Sequence, residues 1–487
     1  MSARRAVSIP RIAAALFVAA AFAAGCSGSS TPSAPIIGKN SPTSFPTGHP
    51  SSPPTAPPSV TPMPTMTPTA PPNTGGTQAA CILTIGTTTY AFVPGINTTT
   101  NMNELAEVTI ATGSTITARG RRFVPPTLNL RGAGFARGAR RLDTGPNGSP
   151  ELLLNPAPNE CSADQAHGDL YLISYTSPVV NVVHVDPTTA AMSLAATYTS
   201  DASSSIGFSG GDCNICGIAF DPNQNGFIIA TATGYELYAG FRASNPGTKL
   251  NEIAAVPPAE NFGFDATTDQ IWSPSYLSPP LTAQLINVVG GAVYNQSPLP
   301  TTYSEPDQGA VDASTQLAVS DEEFSRTLYL VPLNQATLNS PSAGEFSDAG
   351  ATTINLTTTI GSGCCPDSYI AINGTSHLML TASEFGTAIG VVQLPTSVTA
   401  SGAPALGDYD ESNIPGGALT LPGDPHAAST FNLGSESYGL LFDSTNSVVF
   451  VIDLQKLLAA PRMSAGSHDI PASYDLIGNS VLFEIKI

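Results

Sequence analysis

One phrase recurs along this chain and limits its fold more than any other feature. Small or apolar residues lead to an Asp or Asn, a turn follows, and a second apolar run begins. It reads Gly217-Ile218-Ala219-Phe220-Asp221 before Phe227-Ile228-Ile229-Ala230, and Phe262-Gly263-Phe264-Asp265 before Ile271-Trp272. It returns as Gly309-Ala310-Val311-Asp312 before Leu317-Ala318-Val319, and as Tyr369-Ile370-Ala371-Ile372-Asn373 before Leu378-Met379-Leu380. Its last instance is Gly439-Leu440-Leu441-Phe442-Asp443 before Val448-Val449-Phe450-Val451. Each instance describes a hairpin: a strand ends at the acid or amide, whose side chain bonds the next backbone N–H groups and starts the turn.

The apolar runs are nearly continuous, as in strands covered on both faces. Successive Asp or Asn positions lie 44 to 70 residues apart, a repeat length typical of propeller blades. Charged residues are only 11% of the 487 and hydrophobic residues 41%, which favours short strands and tight turns over long helices. The expected fold is all-β: a β-propeller over residues 81–487. Openings near 88, 168, 217, 262, 309, 369 and 438 count to seven blades. Six result if the first and last phrases complete one blade. Closure is expected to pair N-terminal with C-terminal strands, Val481-Leu482-Phe483-Glu484-Ile485 being the natural C-terminal partner. A β-sandwich or two β domains is the competing architecture.

Two blade families are matched loosely. Gly217-Ile218-Ala219-Phe220-Asp221 resembles the blade opening of NHL-type propellers. Tyr90-Ala91-Phe92-Val93-Pro94-Gly95 through Ala106-Glu107-Val108-Thr109-Ile110 resembles the YVTN-type blade, and Leu170-Tyr171-Leu172-Ile173-Ser174 through Val182-Val183-His184-Val185-Asp186 is similar to it. The resemblance implies architecture and says almost nothing of activity. Spacing is irregular, and 120–165 shows no clear blade.

The N-terminus reads as an export signal. Arg4, Arg5 and Arg11 precede an apolar run from Ile12 to Ala24, and Ala23-Ala24-Gly25-Cys26 closes it. The run is too short and too rich in alanine to suit a spanning helix. Residues 1–25 resemble a bacterial lipoprotein signal peptide, which implies that the mature chain begins at a lipidated Cys26. Ser27, not Asp, follows; in a diderm bacterium this favours the outer membrane. Residues 26–80 are dominated by Ser, Thr and Pro, with no hydrophobic periodicity to support a core. They are expected to form a disordered tether, reaching roughly 150 Å if polyproline-like. The membrane is then a partner through the lipid anchor, and the domain lies in the cell envelope, facing periplasm or exterior.

The formal net charge is −19, and loss of the signal makes the mature chain more acidic still. Such a domain is a poor nucleic-acid binder and is expected to be monomeric. One region departs from this balance. Arg119, Arg121, Arg122, Arg131, Arg137, Arg140 and Arg141 fall within 23 residues that hold no acid. Arg131, Arg137, Arg140 and Arg141 are the candidate anion-binding residues, for a phosphate-bearing glycan or a phospholipid headgroup. The plainer reading is a glycine-rich loop lying on the domain's own acidic surface.

Beyond Cys26 there are six cysteines: Cys81, Cys161, Cys213, Cys216, Cys364 and Cys365. In an exported chain they suggest three disulfides, with the pairing open. Adjacent Cys364 and Cys365 are expected to take separate partners. A zinc site from Cys213, Cys216, Cys364 and Cys365 is the alternative.

Four acids precede repeat phrases: Glu260, Asp307, Asp367 and Glu436. Around one channel mouth they would repel one another and favour a cation, typically Ca²⁺ with oxygen ligands; solvated loop acids are the plainer reading. Gly207-Phe208-Ser209-Gly210-Gly211 matches G-x-S-x-G, but a nucleophile elbow needs a strand before it and a helix after it. The histidines are widely separated. With no catalytic constellation legible, the expected function is a membrane-tethered binding or interaction module for an envelope glycan, phospholipid or protein. A calcium-dependent, lactonase-like propeller hydrolase and a structural envelope component are the alternatives.

Overall fold

A computed structural model describes residues 80–486, with the longer omissions at 123–151, 334–350, 356–368, 397–410, 414–426 and 462–479. The chain divides into two units, residues 1–64 and 65–487, and every described residue lies in the second. That unit is a seven-bladed β-propeller. Each blade is an antiparallel meander of four strands consecutive in sequence. The first strands are Cys81–Ile85, Glu160–Asp164, Ile215–Asp221, Gly263–Asp265, Gly309–Asp312, Tyr369–Asn373 and Ala427–Leu433, for blades 1 to 7 in order. First strands lie against one another between blades 1 and 2, 2 and 3, 4 and 5, 5 and 6, and 6 and 7.

Apolar periodicity explains the layering. In blade 3 the strands Ile215–Asp221, Gly226–Thr231 and Gly234–Ala239 are buried at every residue, whereas the rim strand Lys249–Ala254 alternates. Strands covered on both faces have no side on which to place polar residues. The core is accordingly divided into seven apolar clusters, one at each seam between neighbouring blades. The seam between blades 2 and 3 is aromatic: Phe227 stacks on Tyr238 at 5.3 Å and on Tyr198 at 5.7 Å, and Tyr171 stacks on Phe220 at 5.2 Å.

Ring closure follows a different route from strand exchange. Blade 7 takes all four of its meander strands from the C-terminal region, Val481–Lys486 being the outermost. It meets blade 1 by packing: Ile82, Ala91 and Val93 lie against Phe431, Leu440 and Val451, and Ser429 Oγ donates to Ala80 O at 2.8 Å. An N-terminal strand does join it, but only at the rim, where Arg121–Arg122 pairs with Phe483 and Glu484. Among the described residues one short helix, Leu454–Leu458, follows the third strand of blade 7. Asp453 caps it through Lys456 N at 3.1 Å, and Leu454 and Leu457 pack into the seam with blade 6.

Three of the expected blade openings sit one strand too late. Residues 88, 168 and 438 fall at or beside second strands (Thr88–Asn97, Asp169–Ser174 and Glu436–Asp443), and the first strands of blades 1, 2 and 7 precede them. The stretch 120–165, which shows no clear blade in sequence, contains the first strand of blade 2.

Candidate functional site

The seven first strands begin at one end of the wheel, here called the mouth, and run to hairpin turns at the other end. A buried polar layer lies at the mouth. Glu160 opens the first strand of blade 2 and is fully buried; Asn261, two residues before the first strand of blade 4, and Gln308, directly before that of blade 5, are buried too. Asn261 Nδ2 donates to Glu160 Oε1 at 2.8 Å. Blades 2 and 4 are not neighbours, so this bond passes over blade 3. Tyr175 OH also donates to Glu160 Oε1. Asn261 O accepts from Gly309 N at 3.1 Å, Gln308 Oε1 accepts from Ile370 N at 3.0 Å, and Asp321 Oδ1 accepts from Gln308 N at 2.7 Å. Chemically this is a set of acceptors that ties blades 2, 4, 5 and 6 together.

Below that layer, buried aromatic donors meet serine hydroxyls. Trp272 Nε1 donates to Ser320 Oγ at 2.8 Å and Tyr235 OH to Ser273 Oγ at 2.5 Å. Burial pushes the Tyr235 hydroxyl up to about 12, so it remains a donor.

At the opposite end, five blades share one turn. Asp164, Asp221, Asp265, Asp312 and Asn373 each end a first strand, and four residues later stand Gly168, Asn225, Asp269, Gln316 and His377, all with positive φ. The carbonyl of this fourth residue accepts an N–H at the end of the third strand or just beyond it in every case: Val185, Gly240, Val288, Leu333 and Leu394, at 2.7 to 3.2 Å. Between blades 4 and 5, Gln316 Nε2 donates to Asp265 Oδ2 at 2.8 Å. Between blades 5 and 6, His377 Nδ1 meets Asp312 Oδ2 at 3.0 Å. Between blades 3 and 4 the fourth residue is Asp269, which has no proton to donate when ionised. Asp221 Oδ1 takes Asn223 N at 2.9 Å and Gln224 N at 3.1 Å, but its Oδ2 is buried with no hydrogen-bond partner. Burial, and then the Asp269 charge, push the Asp221 carboxyl up to about 6. Asp269 is held beside this turn by Asn223 Nδ2, which donates to its Oδ1 at 2.7 Å.

Of the acids expected at one mouth, Glu260, Asp307 and Asp367 lie outside the described residues. Glu436 departs from its expected place: it is exposed and begins the second strand of blade 7, beside the hairpin turn at the end away from the mouth. The acids the structure does bury at the mouth, Glu160, Asp321 and Glu322, were not among the candidates. Glu160 escapes a sequence reading because the short, polar strand it opens, Glu-Cys-Ser-Ala-Asp, does not look like a blade core. Among the described residues no group of three or more His, Cys, Asp or Glu is placed to hold a metal. Cys26, Arg131, Arg137, Arg140 and Arg141 are outside the described residues, as are Cys364 and Cys365.

Cys81 and Cys161 form a disulfide joining blades 1 and 2 across 80 residues of sequence. Cys216 is also disulfide-bonded, which removes its thiolate from the zinc alternative. Cys213 ends a small hairpin, Ile206–Phe208 with Gly211–Cys213. Gly207, Phe208 and Gly211 of the G-x-S-x-G sequence lie in the paired strands of that hairpin, and Ser209 lies outside the described residues.

No family model and no curated protein matches the chain. Among solved structures it is similar to hydrazine synthase of Kuenenia stuttgartiensis, with 10% identity, 83% of this chain and 85% of that one covered, and a TM-score of 0.36. A protein from Lactobacillus plantarum is 12% identical, with 85% and 96% covered and a TM-score of 0.44. A functionally unknown protein from Desulfotomaculum acetoxidans is 12% identical, with 58% and 74% covered and a TM-score of 0.36. At these values the likenesses carry no argument about activity.

Proposed function

We propose that this chain is an exported propeller, tethered to a bacterial membrane through lipid on Cys26, that serves as a binding or interaction module in the cell envelope. The observation that carries the reading is the combination of a lipobox-like site and a Ser/Thr/Pro-rich stretch ahead of a wheel joined at every seam. The disulfide between Cys81 and Cys161 agrees with an oxidising compartment. A wheel with an apolar cluster at each seam offers a stiff frame on which surface loops are presented at little ordering cost. The arginine-rich segment is the proposed ligand contact, for an anionic glycan or a phospholipid headgroup.

Two measurements test this. The full chain, expressed in a bacterial host, should incorporate radiolabelled palmitate and fractionate with membranes, and Cys26→Ser should lose both. Wild-type protein should be captured by an array of anionic glycans and phospholipids, and a variant with Arg137, Arg140 and Arg141 changed to Ala should lose most of that capture. Palmitate incorporation that survives Cys26→Ser overturns the anchor. Capture that is equal in the two proteins overturns the arginine-rich contact.

A further inference from the structure

We propose that a hard divalent cation of the calcium or magnesium class binds between blades 3 and 4 at the turn end, held by Asp221 Oδ2 and the Asp269 carboxylate. This site is distinct from the mouth and from the four acids Glu260, Asp307, Asp367 and Glu436. It rests on a comparison of equivalent positions within the molecule. Five turns share length, a left-handed fourth residue and a common backbone N–H donated to that residue's carbonyl. At the next two seams the fourth residue supplies a nitrogen to the preceding blade's acid: Gln316 to Asp265 and His377 to Asp312. In blade 2 the equivalent acid, Asp164, meets His167 Nδ1 from its own turn at 2.6 Å. Asp221 is the exception among these four acids. It is fully buried, its Oδ2 meets no donor, and the residue where a donor belongs is a second acid.

A buried carboxylate oxygen without a donor, within the field of a second carboxylate, calls for a positive charge or a proton beside it. A cation replaces the missing nitrogen and neutralises both acids at once. Asp269 is only partly buried, which leaves room for water to complete the oxygen shell that Ca²⁺ or Mg²⁺ requires. Asn223, donating to both Ala266 O at 2.6 Å and Asp269 Oδ1, holds the two turns together around the site. The turn itself reads Asp221-Pro222-Asn223-Gln224-Asn225-Gly226, the D-x-N-x-N-G opening of calcium loops. It lacks their glutamate at the twelfth position, which is Ala232 here. With two protein carboxylates the affinity should be weak, in the sub-millimolar to millimolar range of extracellular modules, about 10⁻⁴–10⁻³ M.

The test uses the full chain in detergent, freed of metal by EDTA and then dialysed. Melting temperature is measured without cation, with millimolar CaCl₂ and with millimolar MgCl₂, beside calorimetric titration of each salt. The variants are Asp269→Gln, which installs the donor found at the next seam, and Asp221→Asn. Wild type should melt several degrees higher with one of the two salts and show saturable heat, and the salt that acts identifies the ion. Both variants should lose the shift, and Asp269→Gln should melt no lower than cation-free wild type. If either salt's effect survives in Asp269→Gln, the ion sits elsewhere and the proposal falls. It also falls if neither salt changes wild type by melting or by calorimetry.

Discussion

The seam between blades 4 and 5 and the seam between blades 3 and 4 are alike for most of their depth and differ at one end. Each holds an apolar cluster: Trp272, Leu285, Val311 and Tyr329 in the first, Tyr235, Phe262, Ile271 and Ile286 in the second. Each has a buried aromatic donor on a serine hydroxyl, Trp272 on Ser320 and Tyr235 on Ser273. At the turn end they part. Asp265 is satisfied by Thr267, Thr268 and Gln316, whereas Asp221 keeps a buried oxygen without a donor beside Asp269. Packing repeats because every seam must exclude water from two apolar faces. Electrostatics need not repeat, because one side chain at one turn decides it.

The largest break in this comparison is Trp272→Ala. Trp272 is fully buried, and removing it leaves a cavity and takes away the indole N–H that Ser320 Oγ accepts. The expected loss is about 3–5 kcal/mol by urea denaturation. Leu194→Ala, at a residue 50% exposed, should stay within about 0.5 kcal/mol.

Next is Gln316→Glu, which gives the seam of blades 4 and 5 the acid-against-acid arrangement of its neighbour. It removes the amide donor to buried Asp265, and the expected loss at neutral pH is about 2 kcal/mol. That loss should shrink on acidification. A variant as stable as wild type at neutral pH would show that the two seams do not differ in the way described.

The smallest effect is a pH dependence at Asp221 in cation-free buffer. Its folded-state value is raised to about 6 from roughly 3.9 when unfolded. The folded protein therefore binds the proton more tightly. Stability should fall as pH rises from about 4 to about 6 and level off above that. Burial raises the Asp221 value most, the Asp269 carboxylate raises it further by repulsion, and the backbone N–H groups of Gln224 and Asn223 oppose the shift. Solvent at the half-buried Asp269 screens the repulsion, so about 1–2 kcal/mol is expected. It is read as wild type minus Asp221→Asn across the pH series; a flat difference would contradict it.

Blades 3 to 6 were legible in sequence because each ends its first strand at an acid or amide followed by a four-residue turn. Blades 1 and 7 lack that punctuation. Their first hairpins close through Gly86-Thr87 and Gly434-Ser435, with the glycines at φ 60 and 62, the tight turn that a glycine at positive φ allows. Blade 2 has the acid, Asp164, but its first strand is too polar to read as a core. The candidate ion pair was half visible. Asp221 stands out as a turn initiator, and Asp269 becomes notable only when Asn225, Asp269, Gln316 and His377 are aligned as fourth turn residues.

Sequence alone determined the all-β class and the positions of four blades and favoured seven blades over six, because apolar runs and turn residues act over a few neighbours and leave a local record. The tertiary structure decided which strand faces the axis, how the ring closes and which acids meet. Those depend on contacts between residues far apart in the chain: Glu160 with Asn261 is 101 residues apart and Ser429 with Ala80 is 349. A carboxylate's surroundings there are set by the neighbouring blade, which no local pattern records.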